Sequence, residues 1–449
     1  MIGARPLDDF TAPNLNRLVG MAKDLFGHQN CWIIRVPARL CLAADHTDYW
    51  EAFTPELVTF ASDSALMTAV ISPRTDSVVR LFNVGDFDDC EFDLNENLPP
   101  RATDSNHWIE WLDANGTPDA HWSNYVRGSV HHTQMYHDVE NGFDLLIDSN
   151  IPPASGASSS SALATCAAIA IRLANGLPLE QYSLVEDTAN GEWFVGTRGG
   201  MMDHATMMFA EVGKMLRLTF RPFSAQSIDS STQLDNYRFV TIFTHPSDKS
   251  RSTQLAFNAR ALAARDVIPQ MLVDSSDDMP DTLGVAEVSD DIMRKYPALH
   301  AAGDIELRIK DWLAFARGEF ERSQEVQVLL HANGYAATLG SYMDQAWRDA
   351  GEMYGIRTSA MDEVANLCRS CDGVVGLKVM GAGFGGNLLA LVREDCLDGL
   401  RNTLAENQNL FSRSVQDSIL VHSPGQGVSI MSGPEGDMNW APLWPITEV

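Results

Sequence analysis

The chain reads as a globular protein of mixed strands and helices, large enough for two or three domains. Three observations predict this. Hydrophobic residues make up 45% and charged residues 20% of its 449 positions, the composition of a folded chain and not of a disordered one. Apolar, β-branched runs such as CWIIRV (Cys31–Val36) and FDLLID (Phe143–Asp148) have the character of buried strands. Other stretches place apolar residues at helical spacing, and at roughly 100–200 residues per domain the length leaves room for a sizeable core.

The elements follow in order. Leu15, Leu18, Val19, Ala22, Leu25 and Phe26 fall on one helical face, which Gly27 ends. The Cys31–Val36 strand comes next, with Pro37 expected to break it and to open a polar turn around Ala44–Tyr49. Alternating stretches from Asp63 to Phe92 read as strands of a sheet, and Asp86–Asp93 reads as an acidic, solvent-facing segment. A Trp-rich region spans Trp108–Trp122, and Trp122, Tyr125 and Val126 then have helical spacing. The Phe143–Asp148 strand leads into a small-residue run, Pro152–Ser161, and a helix of Ala, Leu and Ile. Lys214–Phe220 and Arg238–Phe243 read as strands, with a seam between N-terminal and C-terminal halves expected at Pro222–Asp235. Ala256–Arg369 is mostly helical in pattern, broken near Asp274–Thr282 and Ala301–Gly303. Val374–Met380 and Leu388–Val392 are short apolar strands bracketing GAGFGG.

Charge narrows the partners. The formal net charge of −28 repels phosphate backbones and anionic lipid headgroups, so nucleic-acid and membrane-surface binding are not expected. The longest apolar candidate, Ala162–Ala174, contains Thr165 and Arg172 and falls short of the roughly 18 residues a membrane span needs. MIGARPLDDF, at the start, has no apolar signal core. The seven cysteines are scattered, with one CxxC (Cys368, Cys371), which reads as ordinary thiols in a reducing compartment. The expectation is a cytoplasmic protein, monomeric or homodimeric.

Four clusters carry chemistry. In IPPASGASSSSALATC (Ile151–Cys166), Gly and small hydroxyl residues stand between a strand and a long helix. Backbone N–H groups there can face an anion, and the helix terminus adds roughly half a positive charge. Phosphate is the natural occupant, with Ser hydroxyls beside it suited to Mg²⁺; the bland alternative is a Ser-rich linker. GAGFGG (Gly381–Gly386) has GxGxxG spacing, but a strand follows it, so a dinucleotide site is not expected. Its glycines serve either close approach to a ligand or the packing of two strands. No GxxxxGK[ST] motif occurs.

RLCLAADHTDY (Arg39–Tyr49) groups Asp45, His46 and Asp48 in a turn, where carboxylates can accept paired hydrogen bonds from sugar hydroxyls. Taken alone, the cluster reads first as a solvated turn. In GTRGGMMDHA (Gly196–Ala205), Asp203 stands among small and apolar residues and needs a partner, with Arg39 or Arg198 available. It could equally cap a helix starting at His204.

Together and in this order, the four stretches resemble the motifs of the GHMP kinase superfamily, and of its galactokinase branch in particular. WSNYVRG (Trp122–Gly128) and GGMMDH around Asp203 add to that resemblance, which runs from about Asn14 to Val392. It implies an α+β fold of two lobes, taken as residues 1–228 and 229–449, with the active site in the cleft between them. It implies an ATP- and Mg²⁺-dependent sugar 1-kinase. Asp203 would take the proton from the anomeric hydroxyl, with Arg39 paired to it. Asp45, His46, Asp48, Gly200 and Phe257 would face the sugar. Pro153, Ser155, Gly156, Ser158, Ser159, Ser160, Gly381 and Gly383 would hold ATP, and Ser159, Ser160 and Glu192 would hold Mg²⁺.

The chain departs from the family pattern at four points. Asp45 stands where a Glu is usual, and WEAFTPE after Tyr49 does not resemble the usual glycine-containing sugar loop. The position of the Mg-binding Glu falls on Gly191, with Glu192 one place on, and Phe257 stands where a sugar-contacting Tyr is usual. Uronic acids, arabinose and amino sugars are therefore alternative substrates to galactose. Two other readings are a galactokinase-like sensor of sugar and ATP without turnover, and a kinase for a non-sugar alcohol.

Overall fold

The computed structural model describes residues 12–432 other than 28–30, 51–52, 86, 103–105, 120, 249, 276–293, 295–296 and 303–304, together with 441–443. The opening decapeptide, most of the break at Asp274–Thr282, Gly303 and part of the WEAFTPE stretch lie outside the described residues.

Helix α1 (Ala12–Phe26) buries Leu15, Leu18, Ala22 and Phe26, and Gly27 stops it at a φ of +80°. Strands β1 (Trp32–Ala43) and β2 (Leu57–Pro73) form a long antiparallel pair. The break expected at Pro37 does not occur. Beyond Arg35, β1 has only β2 beside it, because its other neighbour stops pairing there. A missing N–H can then be tolerated, and the register shifts between Pro37 and Arg39. Next come β3 (Val78–Asn83), β4 (Cys90–Asp93), α2 (Asn106–Asn115), α3 (Trp122–Tyr136) and β5 (Phe143–Ser149). Helices α4 (Ser159–Ala174), α5 (Gln181–Glu192) and α6 (Met202–Phe209) pack with α3 against the sheet.

Strands β6 (Lys214–Phe220) and β7 (Phe223–Asp229) close this half as a hairpin. Strand β7 lies inside the polar stretch read as a seam. It pairs with β6 alone and buries only Ile228, so its sequence carries no strand signal.

The second lobe is built on β8 (Tyr237–His245), α7 (Arg251–Leu262) and α8 (Ile268–Ser275), followed by the small pair β9 (His300–Ala302) and β10 (Ile305–Leu307). Three helices follow, α9 (Ile309–His331), α10 (Ala336–Glu352) and α11 (Ser359–Arg369), then β11 (Val374–Val379) and β12 (Gly386–Arg393). After α12 (Leu397–Glu406) and α13 (Val415–Ser418), strand β13 (Ile419–His422) completes an antiparallel sheet of order β11-β12-β8-β13. Strands β14 (Pro424–Gly425), β15 (Ser429–Ser432) and β16 (Ala441–Pro442) return to the first sheet, where β15 pairs with β1.

This α+β fold has two cores. The first gathers Leu40, Phe60, Leu145, Ile169 and Met207, joined by Leu330, Met343 and Leu389 from the second lobe; the second gathers Ile242, Trp312, Phe315, Leu377 and Leu388. The chain leaving β1 crosses between them, since Tyr49, Trp50 and Phe53 belong to the second core. That crossing puts the polar residues just before Tyr49 at the junction of the lobes. Among the described residues no helix is long and apolar enough to cross a membrane, and the seven cysteines form no disulfide.

Candidate active site

The junction holds a cavity of about 240 Å³. Of the residues the resemblance assigns to the site, all but Pro153 line it, so residues as far apart as Arg39 and Gly383 meet at one place.

The phosphate-type loop is turned by three residues in the left-handed region, Ala154 (φ 53°), Gly156 (φ 79°) and Ser158 (φ 62°). Ser155 steadies it, donating its hydroxyl to Pro152 O at 2.6 Å and accepting from Ala157 N–H at 3.3 Å. The glycine motif is the hairpin turn between antiparallel β11 and β12, as the absence of a following helix implied. The two loops touch backbone to backbone. A Cβ on Gly156 would lie 2.5 Å from Met380 O, and one on Gly381 2.5 Å from Gly156 O. Asn387 N–H also donates to Ser155 O at 2.8 Å. Ser159, Ser160 and Ser161 open α4 and line the cavity, where first-turn N–H groups have no partner within the helix.

Below that terminus lies an ion pair between buried Arg39 and half-buried Asp203. Arg39 donates from Nε to Asp203 Oδ1 and from a terminal nitrogen to Gly156 O at 2.9 Å. Ser158 donates its hydroxyl to Asp203 Oδ2, and Ser161 reaches the same oxygen at 3.4 Å. Burial opposes the charge of Arg39, but Asp203 and Asp45 outweigh it and hold the guanidinium above its ordinary pKa. Asp203 does not cap a helix starting at His204. It sits in the first turn of α6, one residue inside it, and Arg198 pairs instead with Asp113 at 3.3 Å.

Glu192 ends α5 and faces the cavity, accepting from Ser161 Oγ at 2.9 Å. His204 Nε2 lies 3.1 Å from the same carboxylate, too oblique for a hydrogen bond. Gly191 has no room for a side chain, because a Cβ there would fall 2.8 Å from Ser129 Cα on α3. That crossing of α3 and α5 is why the carboxylate comes from position 192. The Trp-rich region backs the same corner. Trp108 stacks on Trp111 and donates from Nε1 to Asn190 O at 2.9 Å, and Trp111 stacks on Phe194.

The turn after β1 is held from several sides. Asp45 Oδ2 faces Lys378 Nζ at 3.4 Å and Gly381 N at 3.3 Å. Burial disfavours its charge, yet Lys378, Arg39 and that N–H hold its carboxyl below the usual range. His46 Nε2 meets Gly381 O at 2.9 Å and Nδ1 meets Tyr49 OH at 3.1 Å. A carbonyl only accepts, so Nε2 carries the proton and Nδ1 accepts from the phenol. Burial lowers the His46 pKa and keeps the ring neutral. Both ring nitrogens are therefore engaged within the protein. Asp48 accepts from Met202 N at 3.0 Å through Oδ2, beside Gly200, and burial pushes its pKa up to about 6. Phe257 packs on His46 and Tyr49, with ring centroids 6.1 Å from each.

Sequence reasoning missed Ser161, Lys378 and Glu319. Ser161 stands three residues after Ser158 and so shares its helical face, a spacing visible in the sequence. Lys378 was signalled by a lone charge inside the apolar strand LKVM. Glu319, in the middle of α9, carried no signal.

Residues 124–211 match the family model described as the GHMP kinases N terminal domain. The chain is 26% identical to a galactokinase of Chloroflexus aurantiacus over 428 residues, 94% of this chain and 99% of that protein. It is likewise 26% identical to a galactokinase of Chloroflexus aggregans over 417 residues, 91% of this chain and 96% of that protein. Among solved structures, Lactococcus lactis galactokinase complexed with galactose superposes with a TM-score of 0.74 at 23% identity, over 92% of this chain and 99% of that one. A mevalonate kinase superposes less closely, with a TM-score of 0.52 at 16% identity over 90% and 99% of the two chains.

Proposed function

From the premise that the chain belongs to the GHMP kinase superfamily, we propose that it is an ATP- and Mg²⁺-dependent kinase acting on the anomeric (C1) hydroxyl of galactose or a closely related monosaccharide. The products are the sugar 1-phosphate and ADP. The observation that carries this reading is the pairing of buried Arg39 with half-buried Asp203, beneath the N-terminus of α4 in the cavity that Asp48 also lines.

Phosphoryl transfer asks a protein chiefly to position reactants and to neutralise charge. Asp203 takes the proton of the attacking hydroxyl, and Arg39 steadies the negative charge that gathers beside it. The N–H groups opening α4 receive the ATP phosphates, and the Gly156 and Gly381 turns line the same cavity. Asp48 has one oxygen committed to Met202 N–H and offers the other to sugar hydroxyls.

The donor set suits a hard cation. Glu192 supplies one carboxylate, the Ser159 and Ser160 hydroxyls line the same cavity, and no cluster of three or more His, Cys, Asp or Glu exists among the described residues to hold a metal unaided. Such a sparse oxygen set fits Mg²⁺, whose remaining positions go to phosphate and water. When bound, Mg²⁺ neutralises the phosphate charge of ATP.

A coupled ADP-release assay across hexoses, pentoses, uronic acids and amino sugars tests the proposal. Turnover with galactose or a near relative is expected. Failure to release ADP with every sugar, while sugar and ATP still bind, would replace the kinase with a sensor.

A further inference from the structure

A buried charge network lies behind the sugar-facing turn, on the side away from the cavity. Ala44 (φ 66°) and His46 (φ 64°) are both non-glycine residues in the left-handed region, a conformation that persists only when its surroundings impose it. Glu319 on α9 accepts the Ala44 N–H at 2.9 Å. Lys378 on β11 donates to Cys41 O at 3.0 Å and faces Asp45 Oδ2 at 3.4 Å. The relative exposure of Glu319 is 1% and that of Lys378 is 2%, and both line a second, small cavity with Asp45. The turn belongs to the first lobe's strand β1, whereas both of these charges come from the second lobe.

We propose that Lys378 is a positioning residue for sugar recognition, fixing the Ala44–Asp48 turn by tying Asp45 and the Cys41 carbonyl to β11, with Glu319 holding the Ala44 end. Three features support this. The buried ammonium has no oxygen partner from its own strand among its hydrogen bonds, so its contacts are spent on the turn. Asp45, one residue from the strained His46, takes both Lys378 and the Gly381 N–H on one oxygen, which fixes the direction of its carboxylate. Gly381 in turn follows Lys378 by three residues and accepts from His46, so a shift of β11 would move Asp45 and His46 together. Both hydrogen bonds of Lys378 go to the turn and neither goes to the phosphate loop, so its direct influence falls on the sugar side of the site.

The inference rests on the proposed sugar kinase, and the test separates the two. Full-length Lys378→Met, Lys378→Gln and Lys378→Arg are compared with wild type by ADP release, varying sugar and ATP in turn. Lys378→Met is expected to raise the sugar KM by on the order of tenfold or more while the ATP KM stays within about twofold. Lys378→Arg, which keeps a cation, recovers most of that loss. If Lys378→Met does not fold, Lys378→Gln, which keeps a donor for Cys41 O, gives the reading. A wild-type sugar KM in a folded neutral variant overturns the inference, as does an equal rise in both KM values. Wild-type protein that neither turns over nor binds any sugar by calorimetry overturns the sugar-kinase reading and this one with it.

Discussion

Asp203 holds the position on which the proposed chemistry turns, with one carboxylate oxygen on Arg39 and the other on Ser158. Asp203→Asn keeps the shape and loses the proton acceptor, so kcat should fall by roughly 10²–10⁴-fold, measured by steady-state ADP release. Asp48 supplies a pH test. Its pKa is raised to about 6 by burial, so it is a carboxylate above that pH and a neutral acid below it. The neutral form accepts hydroxyl bonds poorly, so the sugar KM should rise as pH falls through about 6, and Asp48→Asn should flatten that rise. Residue types at this scale were readable in the sequence, because Arg39, Asp48 and Asp203 stand out as charges in small or apolar surroundings. Their partners were legible only in part. The family resemblance pairs Arg39 with Asp203, whereas nothing in the sequence tells that His46 spends both nitrogens inside the protein.

Elements place these residues by close approach. Helices α3 and α5 cross where Gly191 meets Ser129, and that crossing presents Glu192 to the cavity. Gly191→Ala should cost about 1–3 kcal/mol through overpacking, read as a lowered urea midpoint, because the obstructing atoms include α3 backbone. Strands with strong apolar character, such as β5, β6 and β12, were legible because they are buried. Strand β7 was not, since an edge strand with solvent-facing side chains has no periodic signature. Pro37 misled for a related reason. Its missing N–H matters only where a neighbouring strand needs it, and strand neighbours are a tertiary fact.

At the scale of the whole molecule, two cores meet along a seam that the chain crosses at Tyr49–Phe53 and recrosses at β14 and β15. A net charge of −28 is spread around this body. Self-repulsion of that size opposes compaction, so raising salt from low ionic strength to about 0.15 M should increase the melting temperature by scanning calorimetry. The acidic surface does not bar a nucleotide, because the proposed phosphate site offers Arg39, backbone N–H groups and a helix terminus within a shielded cleft.

By itself the sequence determined the chain's composition class, most of its buried strands and helices, and the short motifs where small or charged residues concentrate. These are local properties, set by burial of nearby side chains and by backbone preference over a few residues. Only the tertiary structure decided that Arg39, Asp48, Glu192, Asp203 and Gly381 share one cavity, and that Lys378 and Glu319 stand behind it. Those meetings depend on how the two lobes pack through a shared first core, which is settled by long-range packing of side chains and not by any spacing along the chain.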